Sequence, residues 1–230
     1  NQTLGGGSTS KDVWIDLAYG TYTGVTNTSM TAGKMVNPYY AVEKSYLIYD
    51  GDFRPEGVAL GWTDASKMFF ALANYTWIES DSSTAGADGD RSYGIPGVQL
   101  GVNLIPLAGT TLTAAVGYID VPTEGRPAIY DGKFQGNSSV TPVVDGPAFY
   151  EYNYEVANAS VAFGFTAFDL PLSVYGDYIQ NQDADDLNTG YMAGIRLGSA
   201  KKKASWQVAY QYQELEADAT LGEMTDSDFA

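Results

Sequence analysis

The chain contains no cysteine and no histidine. The first absence excludes disulfide frameworks, thiolate metal centres and cysteine nucleophiles; the second removes the commonest general base and the commonest metal ligand. Basic residues are scarce as well, 12 against 28 acids, which leaves a formal net charge of −16 over 230 residues. Phosphate backbones are held mainly by Lys and Arg, so a nucleic-acid partner is excluded as a class. No apolar run reaches the roughly 20 residues of a membrane-spanning helix. The start at Asn1 shows no basic-then-apolar stretch of the secretory type. Neither observation excludes a membrane, because a β-barrel hides its apolar surface in alternation, and the mean hydropathy of −0.18 fits that as well as a soluble domain. What is abundant points to β-structure: 26 Gly and 18 Tyr, with charged residues at only 17%.

Period decides more than composition. Val98, Leu100, Val102 and Leu104 alternate with Gln99, Gly101 and Asn103, a period of two with one apolar and one polar or small face. The same rule holds in Ala157–Thr166, Tyr191–Leu197, Trp206–Gln213, Val13–Gly20 and Thr111–Tyr118. Less regular strands over 30–37, 56–63, 68–79 and 172–182 bring the expected total to about ten, in one domain over 1–230. Tight turns fall near Asn27, at Asp64–Lys67, Pro106–Gly109, Phe168–Pro171 and Ala200–Lys203. They alternate with long polar links over 38–55, 80–94, 122–152 and 183–189. Short turns on one rim and long loops on the other describe an all-β transmembrane antiparallel β-barrel, with the short rim periplasmic and the long rim outside.

Cost assigns the faces. A charge facing lipid near the bilayer midplane costs about 2–4 kcal/mol, and the apolar rows carry none, whereas Asp16, Asp177 and Arg196 fall in the opposite phase. The polar phase therefore faces inward, and the expected pore-lining residues are Asp16, Gln99, Asn103, Asn158, Ser160, Asp177, Arg196, Gln207 and Gln211. Amide, hydroxyl and glycine positions make that interior easier to hydrate than to fill. Trp62, Trp77, Tyr118, Tyr178, Tyr191 and Trp206, near strand ends, are expected to form girdles at the two membrane interfaces.

Several segments resemble a known family. Gly33-Lys34-Met35-Val36-Asn37-Pro38-Tyr39 and then Asp50-Gly51-Asp52-Phe53-Arg54-Pro55-Glu56-Gly57 resemble the first long external region of the bacterial outer-membrane family called "putative porin". Leu172–Asn181, Gly190–Gly198, Trp206–Ala219 and the closing Asp226-Ser227-Asp228-Phe229 are similar to its later part. The resemblance implies a β-barrel pore, often preceded by a helical region and followed by further strands. Both are missing here, so the chain reads as an internal portion of a longer protein. A physical argument agrees, because an open sheet edge cannot face hydrocarbon unpaired; completion into a wider barrel is expected.

For chemistry, Arg54, Arg91, Arg126 and Arg196 with Asp16, Asp52, Glu124, Asp131 and Asp177 are the candidates for a charged constriction. The link 122–152 is the expected inward-folding loop, through Arg126, Tyr130, Asp131 and Lys133. The acidic stretches Asp183, Asp185, Asp186 and Asp88, Asp90 lack the Gly and terminal Glu of a calcium loop, and no metal or cofactor is expected. Lys201-Lys202-Lys203 reads as a solvated turn. Asn27, Asn74, Asn137 and Asn158 match the N-glycosylation pattern but are discounted, two of them lying within strands. Enzymatic function is not expected, since no spacing singles out a catalytic pair. The expected function is an outer-membrane porin for passive diffusion of small hydrophilic solutes, in contact with lipid and lipopolysaccharide, a homotrimer by analogy. The alternatives are a structural or receptor barrel acting through its external loops, and a soluble lipocalin-like binder with an apolar interior.

Overall fold

A computed structural model describes residues 15–79, 92–130 and 132–226. Ten strands form a single antiparallel sheet whose spatial order follows the chain. They are β1 (Ala18–Tyr22), β2 (Thr28–Lys34), β3 (Glu56–Thr63), β4 (Phe69–Glu79), β5 (Ser92–Leu104), β6 (Thr111–Val121), β9 (Tyr154–Ala167), β10 (Leu170–Asn181), β11 (Thr189–Gly198) and β12 (Gln207–Leu215). The link between β6 and β9 carries a small hairpin of its own, β7 (Ser139–Val140) with β8 (Phe149–Tyr150). The link between β2 and β3 carries one 3-10 turn, Val42–Lys44. β1 and β12 end the sheet and make no contact with each other. The expected all-β architecture and ten strands are found; the sheet itself is open.

Short turns join the strands at one rim, and local chemistry explains their tightness. Asp64 accepts from the amides of Ser66 at 3.0 Å and Phe69 at 2.6 Å, and from the Ser66 hydroxyl. These bonds, led by that hydroxyl, hold its carboxyl below the usual range. Between β9 and β10 both turn residues, Phe168 and Asp169, take positive φ of 54° and 59°, the geometry of a two-residue hairpin that follows sheet twist. Phe168 lies there almost fully exposed. At the opposite rim, Gly33 and Gly57 face each other across β2 and β3 with φ of 122° and 154°. A Cβ on Gly57 would sit 2.3 Å from the Tyr75 carbonyl oxygen, so only glycine allows this approach.

The register sorts side chains onto two faces, because residues directly opposite in an antiparallel pair share one. One face is bare. Tyr22, Met30, Leu60, Ala73, Val98 and Tyr118 stand opposite one another in succession across β1 to β6. Val161, Gly176, Ala193 and Tyr212 continue that face across β9 to β12. Many of these side chains are exposed, among them Met30, Leu60, Val98, Val161 and Tyr212. Its only charged residues on the strands, Lys34, Glu56, Glu79, Asp120, Glu155 and Glu214, lie at the long-loop rim. In β1 the alternation differs from the sequence reading. Tyr19 pairs with Gly33 on the other face, while Gly20 and Tyr22 share the bare one. Gly and Ala give this edge strand too little contrast to set its phase.

The other face is covered. In several strands its row changes character along the length: Tyr93 and Ile95 precede Gln99 and Asn103 in β5, and Tyr154 and Val156 precede Asn158 and Ser160 in β9. Near the long-loop rim the apolar part of these rows packs against Val42, Leu47 and Tyr49 of segment 35–55. Ile129 and Tyr150 of segment 122–153 and Leu221 and Met224 of segment 216–226 complete this core. The expectation of an interior easier to hydrate than to fill therefore fails at this end. Burial of these rows against folded-back loops stabilises by about 25 cal/mol per Å² of apolar area removed from water, and the loops supply the cover because strand neighbours cannot reach over the face.

Candidate functional site

The candidate site is the polar half of the covered face, toward the short turns. It is bounded above by segment 35–55, which is laid along the strands rather than extended into solvent. Two amide side chains fix it. Gln99 accepts from the Tyr40 amide at 2.8 Å and donates to the Tyr40 carbonyl at 3.0 Å; Tyr39 donates its hydroxyl to Asn74 Oδ1 at 2.6 Å. Stacked rings Tyr39, Tyr49 and Phe53, with centroids 5.6 and 5.4 Å apart, stiffen the segment. Its charged contact with the strand wall is the ion pair of Glu43 with Arg196 of β11, and Glu43 also accepts from Ser173 Oγ at 3.2 Å. Burial first, then the Glu43 and Asp177 carboxylates, push the Tyr40 hydroxyl above its ordinary range.

Below the segment lie two cavities. One, of about 700 Å³, is lined by Ser29, Thr31, Tyr40, Thr63, Phe70 and Gln99 among others. The second, of about 380 Å³, lies around Glu43, Thr113, Thr166, Ser173 and Arg196. Hydroxyl, amide and aromatic groups dominate both. The charges that reach them are mutually paired, as in Glu43 with Arg196, or sit in turns, as do Asp64 and Lys67. Such walls can hydrogen-bond uncharged polar solutes, and away from the turns their charge is the Glu43–Arg196 pair. Among the described residues no group of three or more acidic side chains is arranged to hold a metal ion.

The residues singled out from sequence divide between this site and the rims. Gln99, Asn158, Ser160, Asp177 and Arg196 all lie on the covered face. Gln99, Ser160 and Asp177 are buried there, Gln99 and Asp177 beneath the segment. Asn103 sits nearer the short turns, accepting from Thr113 Oγ1 at 2.9 Å. Gln207 and Gln211 take the same phase on the edge strand β12. Asp16 does not join them: it precedes β1 at the long-loop rim, exposed, with Arg54 at 3.3 Å. Arg126 of the link 122–152 donates to the Ser92 carbonyl at 2.9 Å and lies 5.0 Å from the centre of the Tyr93 ring. Tyr130 and Lys133 are exposed, and none of these three lines either cavity. Asp131, with Arg91, Asp88 and Asp90, lies outside the described residues. The link 122–152 covers the long-loop end, whereas the segment that reaches the mid-sheet polar residues is 35–55.

Sequence reasoning missed Glu43, Tyr40 and Ser45. A signal was present: Val42, Leu47, Ile48 and Tyr49 are too apolar for a solvated loop. On the bare face, Trp62 and Trp206 lie near the short turns, and Trp77, Tyr118, Tyr178 and Tyr191 near the long loops. Two are anchored by carboxylates, Tyr118 to Glu155 at 2.8 Å and Tyr191 to Glu214 at 2.7 Å.

Comparison with known proteins adds one match. A family model described as "Putative porin" matches residues 1–149. No curated protein and no solved structure matches the chain.

Proposed function

The chain belongs to the "putative porin" family, and from that premise we propose that it builds the wall of a water-filled outer-membrane channel for passive diffusion of small hydrophilic solutes. The observation that carries the reading is the bare face, apolar and uncharged from the short turns up to the long-loop rim. A soluble protein has no use for such a band, and lipid is the solvent it suits. β4, β5, β6, β9, β10 and β11, at 10 to 14 residues, match the roughly 9–11 residues a tilted strand needs to cross. The lipid-facing aromatics near both rims act as interface girdles, and anionic lipopolysaccharide meets the long-loop side. In hydrocarbon the free edges of β1 and β12 would strand their backbone groups at a cost of several kcal/mol each. The membrane form therefore has both edges paired in a closed barrel.

Within it the covered face is the lumen wall, and segment 35–55 with Glu43 and Arg196 is the constriction. Solutes pass through the polar half by exchanging water for hydroxyl and amide contacts; no bond is made or broken. Homotrimeric assembly is carried here by analogy alone. A second reading, a structural or receptor barrel, is favoured by the dry core that closes the long-loop end beneath segments 35–55, 122–153 and 216–226. Planar-bilayer recording on the full-length protein separates them. Ohmic conductance steps that shift in size on Arg196→Ala support the channel; silent insertion of folded protein supports the structural barrel.

A further inference from the structure

The bare face is not evenly filled. Across β1 to β4 it holds a hollow of about 890 Å³, bordered by Met30, Val58, Leu60 and Tyr75 among others. Gly20 and Ala32, directly opposite each other across β1 and β2, leave it open. A Cβ added to Gly20 would meet nothing within 4 Å. The large rings nearby turn away from it: the Tyr22 hydroxyl lies where a side chain on Gly24 would start, and the Tyr75 hydroxyl does the same at Gly94. One step beyond Ala32 in the same phase of β2, at the long-loop rim, stands Lys34. Among the described residues it is the one base on the strands of this face; Glu56, Glu79, Asp120, Glu155 and Glu214 are acids. Lys34 lies 3.7 Å from Glu56, beyond hydrogen-bond distance, with its side chain about a third exposed.

We propose that this hollow seats an acyl chain of a phosphate-bearing lipid whose headgroup is held by Lys34, an inference that rests on the reading of the bare face as lipid-facing. Hydrocarbon can lie anywhere on that face, so the tail alone selects no position; the headgroup does. Along most of the rim the acids repel a phosphate. At Lys34 an ammonium with three donors meets it directly above the one place where the wall leaves room for a chain, and a charge-assisted bond to phosphate is stronger than a neutral one. A free phosphate would leave the hollow empty. A second copy of this chain is a poorer occupant, because it would bring an identical acidic rim against this one, and like charges across an interface are costly.

Phosphatidylglycerol serves as the probe, with phosphatidylcholine of the same chains and glycerol phosphate as controls. Added to the full-length protein in an uncharged detergent, phosphatidylglycerol should be retained in native mass spectra in preference to phosphatidylcholine. It should also raise the thermal unfolding midpoint with saturation. Lys34→Gln, which removes the headgroup contact, and Gly20→Leu, which fills the hollow, should each raise the half-effect concentration several-fold. Glu56→Gln, which removes the carboxylate beside Lys34, should lower it. Asp120→Asn makes the same change of charge four strands away and should leave it unaltered. Equal retention of the two lipids would overturn the proposal, as would a full effect from glycerol phosphate alone, equal responses to Glu56→Gln and Asp120→Asn, or a doubled mass in place of retained lipid. Should Gly20→Leu not fold, Ala32→Leu fills the same space from β2, and an unchanged half-effect concentration rejects the site. Conductance of the same preparation keeps the two readings apart: ohmic steps with equal lipid retention reject the lipid site and leave the channel, whereas silent protein that retains phosphatidylglycerol keeps the site and rejects the channel.

Discussion

At the residue scale the ion pair of Glu43 with Arg196 has the most direct consequence. Each partner neutralises the other where segment 35–55 meets the wall. Arg196→Ala leaves the Glu43 carboxylate unopposed, and its reversal potential in a KCl gradient should move toward cations. Glu43→Gln should move it toward anions, and the double variant should return near the wild type, because the two effects share one interaction. An unchanged potential in both single variants would remove the pair from the conduction path. Asp64 supports a different measurement. Its carboxyl is held below the ordinary range by the Ser66 hydroxyl and the amides of the turn. A depressed pKa contributes stability that is complete above the unfolded value, about 3.9, and is lost as pH falls through the folded one. Stability followed from pH 6 to pH 3 should decline, and Asp64→Asn should flatten the part of that decline due to this turn.

At the scale of elements, faces matter more than individual contacts. Val161 and Ser160 are neighbours in β9, yet one is exposed on the bare face and the other is buried on the covered one. Val161→Arg should destabilise bilayer-inserted protein by about 2–4 kcal/mol if the site lies near the midplane. Glu155→Arg, at the rim of the same face, should cost far less. Refolding into vesicles of defined lipid measures both, and equal costs would sink the assignment of lipid to that face. Strand existence and turn positions were legible because the alternation from Val98 to Leu104 and the turn chemistry at Asp64–Lys67 are local properties. The apolar beginnings of the inner rows were not read, although Tyr93 and Ile95 stand two and one steps before Gly97 in the same phase. An apolar residue on a polar phase has no local partner that explains it. Its partners, Val42, Leu47 and Ile129, come from loops distant in sequence. For the same reason the sequence singles out 122–152, the longest link, as the inward-folding loop, whereas the apolar anchors and Glu43 that lie against the mid-sheet wall belong to 35–55.

For the whole molecule, the placement of charge qualifies the net value of −16. Among the described residues Glu56, Glu79, Asp120, Glu155 and Glu214 lie at the long-loop rim, and Lys67 and Lys201 to Lys203 lie on the short-turn side with Asp64 and Asp169. Between them the cavity walls hold mainly neutral polar groups and one compensated pair. Selectivity should therefore come from the acidic mouth rather than from the middle of the path. Cation preference should be clear at 0.01 M salt, where the Debye length is about 30 Å, and should fade toward 1 M, where it is about 3 Å. A preference that persists undiminished at 1 M would place the selecting charges inside.

The change of the inner rows from greasy to hydrophilic separates two duties that many proteins load onto the same side chains. Anchorage resides in the dry end, so positions such as Asn103, Thr113 and Gln207 are free to drift or be redesigned. For the proposed channel, this separation would let the choice of solute change without revisiting how the wall holds its shape.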